Sequence, residues 1–568
     1  MAWYDESIFY HIYPLGLLDA PKENKYDGIT HRLPALSPWI EHIKSIGCNA
    51  IYIGPLFESE GHGYETTDYK KLDSRLGDNK DLKDFVKKCH KAGIRVIFDG
   101  VFNHTGRNFF AFKDIKEHRE NSKYRDWYCN VNFYGNNEYN DGFSYDNWGG
   151  YNLLVKLNQR NPEVRDYICD VIRFWVNEFD VDGIRLDAAD VLDFDFMKAL
   201  RATANEVKPD FWLMGEVIHG DYTRWVNENT LHSVTNYNLH KALYSGHNDH
   251  NYFEIAHTVK RLYDMGGNRP DGLKLYNFAD NHDVERIYTR LTNKAHMIPL
   301  HILLYTLPGV PSIYYGSEFA IEGKKEKFSD ASLRPAINLD DHKDDIRSNP
   351  VTSLIARLGQ IRQKTAALSY GEYRELVLTN RQYAFLRRSQ DGYCLVAVNN
   401  DDNDRPMSLP AEGYDSFTGL LSGETINAQN GQINVNVRGN SGDIWVPAGS
   451  FDKTIIKVTK AKKQPDKEIK TDKTVHIPEP EKNADSDRDK SLQTPSESVN
   501  LPENKDIPVD GAKSPDNRDG SYEDGIIKGL QEAVLARMEK NGPITDQMRR
   551  DVENNVYHDS LINWIKSF

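Results

Sequence analysis

A chain of 568 residues is longer than one ordinary domain, so roughly three or four units are expected. A net charge of −14 at pH 7 excludes a protein that grips a phosphate backbone through a basic surface, while 39% hydrophobic and 11% aromatic residues supply a sizeable core. Met1 to Glu6 lacks the basic and apolar pattern of an export leader, no run approaches a membrane span, and five scattered cysteines never form C-x-x-C; a cytoplasmic protein with structural thiols and no membrane partner is expected.

Ser7-Ile8-Phe9-Tyr10-His11-Ile12-Tyr13-Pro14 reads as a first strand, β-branched and aromatic and stopped by proline. Leu36 to Ile46 has helical spacing, Asn49 to Pro55 is a second strand, and Leu82 to Ala92 a second helix leading into Val96-Ile97-Phe98. This is the rhythm of a parallel sheet wound with helices. From His104 to about Leu157 it breaks: Trp127, Tyr128, Phe133, Tyr134, Tyr139, Phe143, Tyr145, Trp148 and Tyr151 lie among Asn, Asp and Gly over a stretch too long for a loop. The aromatics are expected to form mostly the core of a small inserted subdomain.

A helix then starts at Asn161-Pro162, with Val164, Ile168, Val171, Trp175 and Phe179 as its apolar stripe. Further strands are read at Gly183-Leu186, Phe211-Met214, about Ser233-Asn236, Leu273-Phe278 and Ser312-Tyr315. That makes eight, and predicts a (β/α)8 TIM barrel over residues 1–104 and 158–362 with subdomain 105–157 inserted after the third strand. Residues 363–460 alternate as short strands, among them Tyr383-Leu386, Tyr393-Val398 and Thr454-Val458, and predict an antiparallel β-sandwich. Residues 461–520, rich in Lys, Glu, Asp, Pro and Ser, predict a disordered linker. In 521–568, Ser521 and Asp524 resemble a capping box, and Ile527, Leu530, Val534 and Met538 followed by Met548, Val552 and Val556 predict a helical tail for docking or self-association.

Four predicted strands run out into carboxylates or imidazoles. They lead into Asp99-Gly100-Val101-Phe102-Asn103-His104, Asp187-Ala188-Ala189-Asp190, Gly215-Glu216 and Ala279-Asp280-Asn281-His282-Asp283. Arg185 and Asp187, two apart on a strand, share a face, so the guanidinium can hold the carboxylate ionised. A lone pair of this kind is usually a structural ion pair, but catalytic groups of a barrel gather at the C-terminal ends of several strands.

These stretches, in this order, resemble the signature regions of glycoside hydrolase family 13, the α-amylase family. DGVFNH (Asp99 to His104), GIRLDAAD (Gly183 to Asp190), GEV (Gly215 to Val217) and FADNHD (Phe278 to Asp283) carry the resemblance, with Gly63-Tyr64-Glu65-Thr66-Thr67-Asp68-Tyr69 and Gly309 to Gly316 in support. It covers about residues 1–460. Leu154-Val155-Lys156-Leu157-Asn158 resembles the MPKLN stretch of the neopullulanase, cyclomaltodextrinase and maltogenic amylase group, whose members usually carry an extra N-terminal β domain, whereas here the barrel is expected to begin within a few residues of Met1.

The resemblance implies Asp187 as nucleophile, Glu216 as general acid and base with a raised pKa, and Asp283 as the third carboxylate. It implies sugar contacts from Tyr64, Asp68, His104, Arg185, His282 and Arg334. No cofactor is required for such chemistry. Asn103 matches a family ligand of structural calcium, but Val191 stands where many members place a liganding histidine and offers no donor, so no metal is assigned. The expected function is retaining hydrolysis of maltodextrins or related α-glucans. A transglycosylase or phosphorylase on the same fold, and an inactive carbohydrate-binding or assembly subunit, are the alternatives.

Overall fold

The computed structural model describes residues 2–266, 272–327 and 329–451, together with residues 531, 532, 534, 535, 549 and 552 of the tail. Eight parallel strands form the central sheet: β1 (Phe9–Ile12), β2 (Ala50–Ile53), β3 (Arg95–Gly100), β4 (Gly183–Leu186), β5 (Trp212–Gly215), β6 (Ser233–Val234), β7 (Tyr276–Phe278) and β8 (Val310–Tyr314). They lie in the order β6-β5-β4-β3-β2-β1-β8-β7. A bridge between Thr235 and Tyr276, with the Asn236 N–H donating to Tyr276 O at 2.9 Å, closes β6 onto β7 and makes the sheet a barrel.

Alternation along the strands divides the barrel into a wall and a lumen. Ile184, Leu186 and Leu213 face the surrounding helices, whereas Phe9, Tyr52, Ile97, Trp212, Met214, Tyr276 and Phe278 fill the interior as a separate apolar cluster. Trp212 stacks on Phe9 with ring centroids 5.0 Å apart. The interior is therefore plugged below its C-terminal mouth.

The helix Pro162–Phe179 shows how local pattern becomes packing. Asn161 caps it by accepting from the Glu163 N–H at 2.8 Å, and Asp180 ends it in the left-handed region. All five residues of the expected stripe are buried, each contributing about 1.5–3 kcal/mol. Trp175 stacks on Phe57 at 4.4 Å and donates from Nε1 to Tyr69 O.

Between β3 and that helix, strands His104–Thr105, Asn147–Trp148 and Tyr151–Lys156 form a small antiparallel sheet against helix Phe110–His118. Trp127, Tyr128, Phe143 and Tyr145 make its core, while Tyr134, Tyr139 and Tyr151 are exposed. After β8 and helix Pro350–Lys364 come β9 (Glu372–Leu378), β10 (Gln382–Ser389), β11 (Gly392–Asn399), β12 (Arg405–Pro410), β13 (Ser416–Gly419), β14 (Thr425–Asn427), β15 (Gln432–Val437) and β16 (Ser441–Pro447). A six-stranded sheet, β9-β10-β11-β16-β13-β14, and the pair β12-β15 enclose a second core around Leu395, Phe417 and Trp445. Buried Arg362 and Arg387 donate to Tyr305 O and Thr306 O, and so cap the barrel helix Met297–Thr306 from this side.

Strand limits differ from the sequence reading by one to three residues at several ends. Pro14 opens a short helix, Pro14–Leu17, because proline suits a first helical turn, and β7 starts only at Tyr276. The expected strand Thr454–Val458, the linker 461–520 and most of the helical tail lie outside the described residues. Val534 and Val552 of the tail are helical and buried.

Candidate active site

Register places the polar mouth. Asp99 pairs with Arg185 across β3 and β4, and Leu186 pairs with both Gly100 and Gly215. The ladder runs one residue further: Asp187 N–H donates to Gly100 O at 3.1 Å, and Glu216 N–H to Leu186 O at 2.9 Å. Asp187 and Glu216 thus stand level, two residues above Asp99 and Arg185. Close packing here demands glycine: a Cβ on Gly215 would lie 2.7 Å from Ala189 Cβ and 2.4 Å from Leu231 Cδ1. Gly215→Ala is expected to cost about 1–3 kcal/mol in denaturant unfolding and to lower kcat by displacing Glu216.

Arg185 is the hub. Its Nη1 donates to Asp99 Oδ1 and to Asp187 Oδ1, both at 2.8 Å, and its Nη2 lies 2.9 Å from Glu216 Oε2. Tyr52 donates to Asp99 Oδ2 at 2.8 Å. Ala188, in the left-handed region at φ 46°, turns its N–H onto Glu216 Oε2 at 3.1 Å; a non-glycine residue held there stores about 1–3 kcal/mol of strain. Tyr237 donates to Glu216 Oε1 at 3.3 Å and accepts from Asn281 Nδ2 at 3.1 Å.

A second group faces this one from β7. Asp283 lies 3.0 Å from His282 Nε2 and 2.9 Å from Arg334 Nη2, and Arg334 also donates to Asp330 and to His282 O. Tyr64 stacks on His282 at 5.7 Å, and its hydroxyl contacts His282 Nε2 and Asp99. The structure therefore assembles Asp187, Glu216, Asp283, Arg185, Tyr64, His282 and Arg334. His104 is buried nearby, close enough to His62 and the Tyr64 backbone to feel both; burial pushes its pKa down to about 3.

Asp68 does not join them. On strand Thr66–Leu72 it is exposed and accepts from the Lys70 N–H, while its neighbour Tyr69 points inward and donates to Val101 O. Tyr52, Tyr237 and Asn281 were missed by sequence reading. An Asn-Tyr pair just after β6 was the available signal for Tyr237, but it has no carboxylate to mark it.

The carboxyl raised well above its ordinary value is Asp187: burial drives it up, the neighbouring Glu216, Asp99 and Asp283 add to this, and Arg185 opposes. Asp187 is only 7% exposed. Asp283, despite burial, is held well below the usual range by His282, Arg334 and Arg185. Burial raises Asp190, which faces Glu216, to about 6.

At the calcium position implied by the resemblance, no full set of side-chain ligands is gathered. Asn103 Oδ1 already accepts from Gln159 Nε2 at 3.1 Å, and Val191 is an exposed valine. The one cluster of potential metal ligands among the described residues, His31, Asp78 and Asp81, lies elsewhere and caps helix Asn79–Lys91.

Comparison with known proteins agrees with this geometry. Residues 25–353 match the profile of the alpha amylase catalytic domain. A cyclomaltodextrinase of Bacillus sp is 31% identical over 424 residues, covering 70% of this chain and 74% of that protein. Neopullulanase 2 of Thermoactinomyces vulgaris is 28% identical over 481 residues, 78% of each chain. A solved cyclomaltodextrinase structure superimposes with a TM-score of 0.70 at 26% identity, covering 78% of both chains. With the barrel, the strand-end carboxylates and the matched domain in agreement, the chain belongs to the α-amylase family of glycoside hydrolases.

Proposed function

We propose that this protein hydrolyses the α-glucosidic bonds of maltodextrins with retention of configuration, using Asp187 as nucleophile and Glu216 as acid and base. Asp187 Oδ attacks the anomeric carbon as the bond to the leaving oxygen breaks, and Glu216 delivers a proton to that oxygen. Glu216 then takes a proton from water, whose oxygen displaces Asp187 from the glycosyl intermediate. The observation that carries this reading is the single guanidinium of Arg185 bound by both carboxylates: it draws them together, and a retaining pair needs a separation of roughly 5–5.5 Å.

This sequence requires Asp187 charged at the moment Glu216 delivers its proton, and Arg185, which opposes the upward shift of Asp187, favours that charge. Asp283, kept ionised by His282 and Arg334, can accept from sugar hydroxyls throughout, and the Tyr64 ring offers an apolar face. The relatives named cyclomaltodextrinase and neopullulanase support an α-glucan as substrate. Side chains alone supply the chemistry, with no cofactor. Five free thiols support a cytoplasmic location, and the tail, with Val534 and Val552 buried, is read as a self-association or docking element.

The test is the product profile on maltooligosaccharides, pullulan and cyclodextrin, with the newly formed anomer followed by NMR before mutarotation. Short maltosaccharides released first as the α-anomer are expected. Initial β-anomer would overturn the retaining assignment, and no turnover of any of these glucans would overturn the substrate class.

A further inference from the structure

We propose that Gln159 and Asn103 form a two-amide relay that sets the tautomer of His104, so that Nε2 carries the ring proton and donates it in a hydrogen bond to a hydroxyl of the bound substrate. The identity of that hydroxyl-bearing substrate rests on the α-glucan reading; the tautomer rests on geometry alone.

The relay begins at a group that can only donate. The backbone N–H of Asp193 lies 2.6 Å from Gln159 Oε1. An N–H pairs with an acceptor, so the atom facing it is the amide oxygen, and the other end of Gln159 is the NH2. That Nε2 lies 3.1 Å from Asn103 Oδ1. Asn103 is thereby oriented in turn, with its oxygen toward Gln159 and its NH2 toward His104. Asn103 Nδ2 lies 3.2 Å from His104 Nδ1.

An amide NH2 offers no lone pair, so Nδ1 must be the acceptor and the single proton of the neutral ring sits on Nε2. Reversing either amide would set donor against donor in a dry environment. Gln159, Asn103 and His104 are all buried, which keeps bulk water from substituting for a lost partner.

At the far end of the relay His104 Nε2 meets no well-formed hydrogen bond among the described residues, although the Tyr64 backbone lies close enough to the ring to favour its proton; a ligand hydroxyl would complete what the protein leaves partly satisfied. The groups near His104 are His62 and Tyr64, and the Tyr64 hydroxyl reaches Asp99 and His282 in the carboxylate cluster. Chain topology explains why the relay exists. His104 opens the inserted subdomain, Gln159 leaves it just before helix Pro162–Phe179, and Asp193 caps helix Phe194–Val207 after β4. Three separate loops thus converge on one imidazole.

Side-chain nitrogen spectra of 15N-histidine-labelled protein test this, with His104 assigned by its missing signal in His104→Gln. The parent is expected to show the Nε2–H tautomer. In Asn103→Asp, whose carboxylate accepts rather than donates, the Nδ1–H tautomer is expected; Gln159→Met should give a mixture. The kcat/KM on maltotriose should fall roughly ten-fold in Asn103→Asp, the scale of one hydrogen bond lost. An Nδ1–H signal in the parent overturns the relay, as does an Nε2–H signal unchanged in both variants; the parent spectrum decides alone if neither variant folds. Tautomers as assigned, with no α-glucan turned over by the parent, would overturn the functional reading and leave the relay standing.

Discussion

Asp187→Asn is expected to lower maltooligosaccharide turnover by at least about 10⁴-fold while raising thermal stability at neutral pH. The first effect follows from the proposed role of Asp187 as nucleophile: an amide lacks the carboxylate needed to form the glycosyl ester. The second follows from linkage. Asp187 is raised above its unfolded value, chiefly by burial, so the folded state binds the proton more tightly than the unfolded chain. Stability is then full below the ordinary carboxylate pKa of about 3.9 and is lost as pH rises through the raised folded value.

Asparagine is uncharged at every pH and escapes that loss, while its Oδ1 can still accept from Arg185. Melting temperatures of parent and variant should therefore converge near pH 4 and separate toward pH 7 and above, with the variant higher. A variant that melts below the parent at pH 7 would show that the Arg185 ion pair outweighs the burial of charge. Retained turnover would remove Asp187 from the mechanism.

Arg185→Met is the second large effect. Arg185 is 2% exposed and lies against Asp99, Asp187 and Glu216, three carboxylates that stand together only because it does. Methionine fills much of the volume and none of the charge. Removing one partner of a buried ionic cluster typically costs about 3–5 kcal/mol, which urea unfolding at pH 7 should read as a lower midpoint. The sign of the pH dependence distinguishes this from a packing defect. Without the guanidinium the buried carboxyls gain protons more readily, so the deficit should shrink as pH falls toward 4 and widen as it rises. A packing defect would be flat across that range. Activity should be lost as well, since both Asp187 and Glu216 lose the group that orients them.

Some of this molecule was legible in the chain because it is written locally. The stripe from Val164 to Phe179 recurs at helical spacing, and all five side chains are buried. Strand-end carboxylates could be read as a set because parallel strands of a barrel finish at one mouth, so Asp99, Asp187, Glu216 and Asp283 needed only their order. The alternation of β9 to β16 likewise announced an antiparallel sheet. What the sequence determined alone was periodicity, punctuation and motif order.

Tertiary structure decided which groups meet. Asp68 sits within a recognised stretch, yet a strand alternates its faces, and the neighbouring Tyr69 took the inward one. Tyr237 reaches Glu216 only because β6 and β7 close the barrel, and Gln159 reaches Asn103 only across the mouth of an inserted subdomain. The upward shift of the Asp187 carboxyl has the same origin. A pKa shift depends on depth and on every charge within a few ångströms, and those are set by register between β3, β4 and β5. Periodicity is a property of a few consecutive residues, whereas burial and charge proximity belong to residues brought together from distant parts of the chain.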